Sequence, residues 1–328
     1  MLHHDIYNEL SSICECKKDA NIGVNSWIGT GGNAEILAIP KSINEIVNIV
    51  KLRNKFHKNI QIVVIGARSN SIIKMSGVKG ITIWLKNMHK IEKISENQIA
   101  VECGCLDRTI AHFCAENCIS DMEFLIGVPG TMGGNIHTNA GCYGSEIKDV
   151  LISCEAVNQE GEIVKFSNKD MLFGYRSTGI KNHIFASVVL QGSIAESITI
   201  FAKIDEITKK RELTQPIGKK TAGSTFKNPK IFNIESWNKI AKYFQKDFEH
   251  EVKNEMIYSN KIHSWMLIEA AGMKGFMIGG AQVSEKHCNF LINVDNATSD
   301  DFIELGECVI SKVFDAFGVK LEWEIEII

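Results

Sequence analysis

No stretch of this chain is apolar for long enough to cross a bilayer, and the opening residues, MLHHDIYNELSS, lack the hydrophobic core of a secretory signal. These absences lead to the expectation of a cytoplasmic protein without membrane insertion. A strong charge of either sign is missing too. The net charge is −3, which leaves no electrostatic footprint for nucleic acid. The short basic runs Lys209–Arg211 and Lys219–Lys220 read as a solvated helix end and a solvated loop. Repeats, low-complexity tracts and proline- or serine-rich linkers are absent. The ten cysteines are scattered, with two CxC pairs (Cys14/Cys16 and Cys103/Cys105) but no CxxC of the kind that builds structural zinc sites. Without a secretory leader they read as reduced, buried thiols, and no metal is expected. Nothing in the chain points to a protein partner.

What is present is ordinary globular material. An apolar fraction of 45% over 328 residues supports a sizeable core and about two domains. Ser42 to Glu45 reads as a capping box opening a helix with Ile46, Val47 and Val50 on its apolar stripe. Buried strands are expected over 60–66, 81–85 and 99–103, then a helix carrying Leu106, Ile110, Phe113 and Cys114. Strands over 151–158 and 162–166 read as a hairpin, followed by a strand over 183–190 and a helix with Ile200, Phe201, Ile204 and Ile207. Trp237, Ile240, Ala241, Phe244 and Phe248 have helical spacing. Strands are expected over 278–283 and 288–294. Thr298 with Asp301 caps a long helix that Gly318 ends, and LEWEIEII alternates as a strand.

The informative segment is GVPGTMGGNIHTNAGCYG, residues 127–144, with six glycines, Pro129 and Asn139. So many glycines make sense where the main chain turns sharply or meets a ligand closely. Backbone N–H groups in such a loop can cradle phosphate oxygens without a lysine. A second polar loop, Gly66-Ala67-Arg68-Ser69-Asn70, follows the 60–66 strand. Neither loop has the strand–GxGxxG–helix context of a Rossmann dinucleotide site. One large cofactor spanning both loops accounts for them better than two small ligands.

At these residues the chain resembles the UDP-N-acetylenolpyruvoylglucosamine reductases. The resemblance runs from about Asn25 onward through WIGTGGNAEILAIP, GARSN, the glycine-rich segment, FGYRSTGI, AGSTFKNP, LIEAAGMKGFMIGGAQVSEKHCNFLIN and LEWEIEI, in that order, and is closest to the shorter, second type. It implies an α+β protein. The FAD-binding fold of the vanillyl-alcohol oxidase type, with two α/β subdomains, would fill residues 1–208 and split near 86. A C-terminal α+β substrate domain would fill residues 209–328. The implied ligands are non-covalent FAD, NADPH as co-substrate and a sugar nucleotide. The implied cofactor residues are Gly66, Arg68, Ser69, Asn70, Gly127, Pro129, Gly130, Thr131, Gly133, Gly134, Asn139 and Gly141.

The same resemblance assigns three catalytic residues. Arg176 would hold the substrate carboxylate in a bidentate fork, although an arginine in GYRSTG also reads as an ordinary turn residue. Ser224 would donate the proton, although a serine after glycine is also a common cap. Glu324 would assist from the closing strand, buried beside Arg176; from sequence alone Glu322, Glu324 and Glu326 are nearly equivalent. Lys227, Asn228, His287 and Tyr175 are implied substrate contacts, each with a plain structural alternative. The chain also departs from the family pattern. Arg68 stands where a glycine is usual, Met75 where an aspartate is common, and Cys142 where an alanine is common. Residues 230–264 form an insertion expected to pack on the C-terminal domain. Another flavoprotein oxidase of this fold, or a silent FAD-binding protein, are the competing readings.

Overall fold

The structure, a computed structural model, describes residues 2–56, 59–246, 248–253, 256–259 and 261–328. It divides into two compact units. The first contains residues up to Asn21, 33–68 and 77–213; the second contains 22–32, 69–76 and 214–328.

The first unit opens with α1 (Leu2–Ile13) and β1 (Glu15–Asn21), then β2 (Asn33–Ile39), α2 (Ile43–Phe56) and β3 (Ile62–Ile65). After β4 (Ser71–Ile72), which belongs to the second unit, comes β5 (Val78–Trp84). The first sheet runs β1–β2–β5–β3, with β2, β5 and β3 parallel and β1 antiparallel. The apolar runs of β2 and β5 suit central strands, and Ile6, Leu10, Ile46, Ile49 and Val50 of the two helices join their core. Ser42 accepts the Glu45 N–H at 3.3 Å, as expected of a cap. The Glu45 carboxylate instead takes the Lys41 N–H at 2.9 Å, so the box closes one residue early. β3 differs from the buried strand expected: it lies at the sheet edge, and Val64 is 39% exposed.

The second sheet of this unit comprises β6 (Ile91–Lys93), β7 (Gln98–Glu102), β10 (Leu151–Val157), β11 (Ile163–Ser167) and β12 (Ile184–Gln191). Its order is β11–β10–β12–β7–β6, antiparallel throughout, and the expected hairpin pairs Val157 with Ile163. Between β7 and β10 lie α3 (Asp107–Glu116), α4 (Met132–Thr138), the small pair β8 (Gly141–Cys142) and β9 (Ser145–Glu146), and α5 (Ile147–Val150). The glycine-rich segment is therefore not all loop. α4 forms despite two glycines because Met132, Asn135 and Ile136 are buried beneath it. α6 (Ser197–Thr214) buries Ile200 and Ile204 and runs through the basic run without a break. Lys209 and Lys210 are exposed, but Arg211 is half-buried and donates to the Ile126 carbonyl at 3.1 Å, so it is not a solvated helix end.

The second unit holds β13 (Lys220–Ser224), α7 (Ile234–Phe244), β14 (Glu251–Lys253), β15 (Met256–Tyr258), α8 (Ser264–Ala270), β16 (Met277–Ile278), β17 (Ala281–Val283), β18 (Phe290–Asn293), α9 (Ser299–Phe317) and β19 (Glu326–Ile327). Its main sheet runs β13–β18–β17–β16, and β19 pairs in parallel with β4. The single strand expected over 278–283 is a hairpin, β16–β17, turning at Gly279 and Gly280. A side-chain carbon at Gly280 would lie 1.9 Å from the Asp295 carbonyl oxygen. The helix with the Trp237 stripe ends at Phe244, where Gln245 turns left-handed, and Phe248 folds back to 6.3 Å from Trp237. The described part of the insertion packs on α9: Tyr243 meets Phe317 at 5.5 Å, and Ser236 donates to Gly318 at 3.2 Å. The closing strand is shorter than its alternation suggested, since only Glu326 and Ile327 are laddered. Leu321 and Ile325 are nonetheless buried, and Trp323 lies 5.1 Å from Phe226.

Thr298 and Asp301 form the expected capping box of α9, and Gly318 ends it at φ 70°. Midway along, a side-chain carbon at Gly306 would lie 2.0 Å from the Trp323 ring. That ring is held by Phe226 and by its N–H bond to Glu307 at 2.9 Å. Gly306→Ala would gain ~1 kcal/mol of helix propensity but overpacks by ~1–3 kcal/mol, and the clash is too close for the ring to yield. The variant is expected to melt at lower temperature than the parent, and an equal or higher melting temperature would refute this packing.

Candidate functional site

The two polar loops meet in the first unit. A side-chain carbon at Gly66 would fall 2.4 Å from Thr131 Oγ1, so the end of β3 and the start of α4 touch only because residue 66 has no side chain. Beside this contact is a cavity of about 410 Å³ that both loops help to line, with Gly66 and Ala67 from one and Thr131 from the other. Trp84, Lys86, Gly104 and Cys105 are among its other walls. Backbone bonds from Met132 to Cys105 (3.0 Å) and from Gly133 to Cys103 (2.8 Å) fasten the glycine-rich segment to the strand end beneath. A narrow cleft walled by two backbones, an indole and hydroxyls has the chemistry for an adenine dinucleotide.

Not every glycine-segment residue faces that cavity. Asn139 is fully buried, and its amide is occupied: Nδ2 donates to Glu146 (2.6 Å) and Gly174 (3.1 Å), and Oδ1 accepts from Lys148 (3.0 Å). It sits left-handed at the end of α4 and holds the loop from behind, so its side chain serves the shape of the loop. Gly141 is likewise buried, where a side-chain carbon would meet the Ser145 carbonyl at 2.3 Å, and at Gly127 it would meet Cys142 Sγ at 2.5 Å. Their smallness is explained by protein packing. Pro129, Gly130, Gly133 and Gly134 keep exposed or half-exposed backbone.

Asp107 supports the segment from α3. Asn135 donates to its Oδ1 at 2.7 Å and Gly130 accepts from its N–H at 3.3 Å, while Oδ2 is buried without a partner. Burial pushes this carboxyl well above the usual carboxylate range, the Asn135 bond opposing it in part.

Arg176 also belongs to this unit. Its backbone is left-handed at φ 52°, Nη2 donates to the Gly141 carbonyl at 2.9 Å, and the guanidinium lies 5.3 Å from the Tyr175 ring centre. Tyr175 is 48% exposed. Cys142 feels the charges of both Arg211 and Arg176, yet burial outweighs them and raises its thiol to about 11. Its Sγ donates to the Phe124 carbonyl at 3.2 Å, so it is a packed thiol rather than a reactive one. Arg211, hidden in a basic run, thus places a second guanidinium by the glycine-rich segment. Trp84 and Lys86 were also overlooked, because nothing in ITIWLK distinguishes a cavity wall from a strand end.

Ser224 and Glu324 come together in the second unit. The ladder of β13 is irregular between Thr221 and Ser224, with Gly223 at φ 83°, a bulge that re-aims the strand end. Ser224 is half-exposed there, whereas Thr225 is completely buried and points the other way. The Thr225 carbonyl accepts the Glu324 N–H at 2.8 Å, so the glutamate runs alongside the serine's loop. Burial separates the three glutamates: Glu322 and Glu326 are exposed, and Glu324 is half-buried. Asn289, unnoticed in the sequence, organises this loop: it accepts from Phe226 N (3.0 Å), donates to Phe226 O (2.8 Å), and its carbonyl takes Thr225 N (2.7 Å).

Other expected contacts lie nearby. His287 Nδ1 accepts the Asn289 N–H at 3.3 Å, and burial lowers its pKa, so the neutral ring serves the loop. Asn228 Oδ1 accepts from Ser264 at the start of α8 (3.3 Å), and the Lys227 carbonyl accepts the Ser264 hydroxyl. Asn70 donates to the Glu324 carbonyl at 3.2 Å, and Ser69 and Asn70 fall in the second unit, unlike Gly66 and Arg68. Among the described residues no helix is long and apolar enough to cross a membrane, and no cluster of histidine, cysteine or acid side chains could hold a metal.

A family model described as the UDP-N-acetylenolpyruvoylglucosamine reductase C-terminal domain matches residues 215–328, and one described as an FAD binding domain matches residues 34–167. The UDP-N-acetylenolpyruvoylglucosamine reductases of Rickettsia canadensis and Rickettsia peacockii are 38% and 40% identical to this chain over 314 residues. Each match covers 95% of both partners. The crystal structure of the UDP-N-acetylenolpyruvylglucosamine reductase from Thermus caldophilus matches 95% of this chain and 98% of its own at TM-score 0.73, with 23% identity, a likeness of fold. The architecture is an α+β FAD-binding fold followed by the C-terminal domain of these reductases.

The Asp107 carboxyl makes stability depend on pH in a defined direction. Its folded-state pKa is raised above the unfolded value of ~3.9, so its contribution is full below that value and is lost as pH rises toward the folded pKa. Asp107→Asn removes the titration. Its melting temperature relative to the parent should climb as pH increases from acid to mildly alkaline, and a flat difference would mean that Asp107 ionises normally.

Proposed function

The chain belongs to the UDP-N-acetylenolpyruvoylglucosamine reductase family, and from that premise we propose that it reduces UDP-N-acetylenolpyruvoylglucosamine to UDP-N-acetylmuramate for peptidoglycan synthesis, with NADPH as the reductant. As a member it is an FAD-dependent oxidoreductase. The cavity walled by Gly66 and Thr131 suits the cofactor, since any side chain at residue 66 would fill the space where the loops converge. FAD held there would supply the hydride chemistry that links NADPH to the enolpyruvyl group. The first 208 residues serve the cofactor, divided near residue 86, and residues 209–328 serve the sugar nucleotide. The work is assigned to the cytoplasm.

The protein's own side chains must steady negative charge and deliver a proton. Arg176 holds the substrate carboxylate while charge develops on it, the fork geometry matching a carboxylate. Ser224 gives its hydroxyl proton to the carbon beside that carboxylate. A serine is a weak acid, but its acceptor is a strongly basic carbanion or enolate. Glu324 assists by polarising the intermediate. Lys227, Asn228, His287 and Tyr175 are proposed contacts for the nucleotide sugar. Gly66, Arg68, Ser69, Asn70, Gly127, Pro129, Gly130, Thr131, Gly133, Gly134 and Gly141 are proposed for the cofactor loops, with Gly127 and Gly141 acting through loop shape.

The observation that carries this reading is the pairing of Thr225 with Glu324, which sets a half-exposed serine on a bulge next to the one half-buried glutamate of the closing segment. In anaerobic stopped flow, NADPH should bleach the flavin and the enolpyruvyl substrate should restore its colour. Rapid recolouring by oxygen alone would point to an oxidase instead. Ser224→Ala should leave bleaching intact and slow recolouring by ~10²–10⁴-fold. Recolouring at the parent rate would remove Ser224 as the donor. With Glu322, Glu324 and Glu326 changed singly to Gln, only the middle variant should recolour slowly, and three equal mild losses would contradict the register.

A further inference from the structure

Arg68 occupies a conformation that glycine tolerates and other residues resist, with φ 55° in the loop after β3. Its guanidinium carbon lies 4.4 Å from the centre of the Trp84 ring, and the Lys86 ammonium lies 4.7 Å from the same centre. Two cations on one indole repel each other, and the ring face offsets only part of that repulsion. Among the described residues neither cation has a carboxylate partner. The Arg68 Nε is buried with no hydrogen-bond acceptor, and burial alone draws the guanidinium's pKa down. Trp84 and Lys86 line the same cavity as Gly66 and Ala67, the residues immediately before Arg68.

Lys86 lines the cavity and Arg68 follows its wall residue Ala67, so a strained backbone, an orphaned donor and two unneutralised charges meet on the Trp84 ring, and all want the same thing, an anion. We propose that Arg68 and Lys86, mounted on the Trp84 ring, form a side-chain clamp for the diphosphate of the bound FAD. This deepens the cofactor reading above and rests on it. Where a glycine would offer only its backbone, this chain offers a guanidinium whose parallel N–H groups match two phosphate oxygens. The clamp also accounts for the left-handed arginine, whose strain is offset once the anion is seated.

The test measures FAD release from the purified full-length protein, read as the rise in free-flavin fluorescence on dilution at low and high salt. Arg68→Gln and Arg68→Gly should each weaken FAD retention about tenfold or more and flatten its salt dependence, with Lys86→Gln acting in the same direction. Binding of ADP to the flavin-free protein should weaken in the variants in parallel with FAD, whereas adenosine, lacking phosphates, should bind the variants as it binds the parent. Arg68→Gly suits φ 55°, so its flavin-free chain should melt no lower than the parent's, which separates a lost contact from a lost fold. Unchanged retention with an unchanged salt response would overturn the clamp. Equal losses for ADP and adenosine would overturn the diphosphate assignment, because they would place Arg68 at the base. A parent protein that takes up no FAD would remove the cofactor reading itself, and that result appears before any variant is made.

Discussion

The register of the closing segment against residues 70–74 is the constraint on which the second unit depends. Glu326 N donates to Asn70 O (3.1 Å), Ile328 N to Ile72 O (2.9 Å), and Lys74 N to Ile328 O (2.8 Å). The Asn70 side chain adds a bond to the Glu324 carbonyl. Side chains alternate along such a ladder, so a slip by one residue would turn Glu324 into the core and drive Ile325 out of it. The apolar cost of exposing Ile325 and the polar cost of burying a glutamate oppose that slip together. The glutamate proposed to act in catalysis is therefore positioned by its apolar neighbour as much as by its own contacts. The loop that contributes Gly66 and Arg68 to the first unit continues directly into this ladder.

Local charge tells a different story from the net value of −3. In the first unit, Arg68 and Lys86 share one ring, and Arg176 and Arg211 both act on Cys142. Those cations gather at the two loops that carry the family motifs. Carboxylates are scattered over exposed pairs such as Lys90–Glu92 and Lys210–Glu206, which contribute little to stability. A protein that handles a dinucleotide, a sugar diphosphate and a carboxylate needs positive charge held in place rather than in bulk.

Much of the fold was legible because its signals are local. The α9 capping box, its stripe and Gly318 lie within one helix, and the β10–β11 hairpin announces itself by alternation and a turn. α1 and β1 passed unread, since HHDIYNELSS is mostly polar and Ile6 and Leu10, with Tyr7 partly buried beside them, anchor it. α4 was hidden by its glycines and exists through tertiary burial. The split of β16 from β17 depends on the Asp295 backbone lying against Gly280, a contact distant in sequence. Among site residues, Ser224, Arg176 and Glu324 stood out by motif. The distinction between Glu324 and its two neighbours needed burial, as did the bonds by which Asn139 braces its loop. Arg211, Asn289, Trp84 and Lys86 carried no motif at all, and only three-dimensional neighbours reveal what they touch.

The pairing of β4 with β19 also sets a timetable for the chain as it is made. Asn70 and Glu324 are 254 residues apart, and at ~5–20 residues per second a ribosome needs roughly 10–50 s to travel from one to the other. Throughout that interval Ile72 and Ile73, both fully buried in the finished protein, have no partner strand to cover them. The first sheet can close long before, since β1, β2, β3 and β5 all emerge within the first 84 residues. A newly made chain thus carries this apolar pair without its β19 cover until the closing residues have emerged.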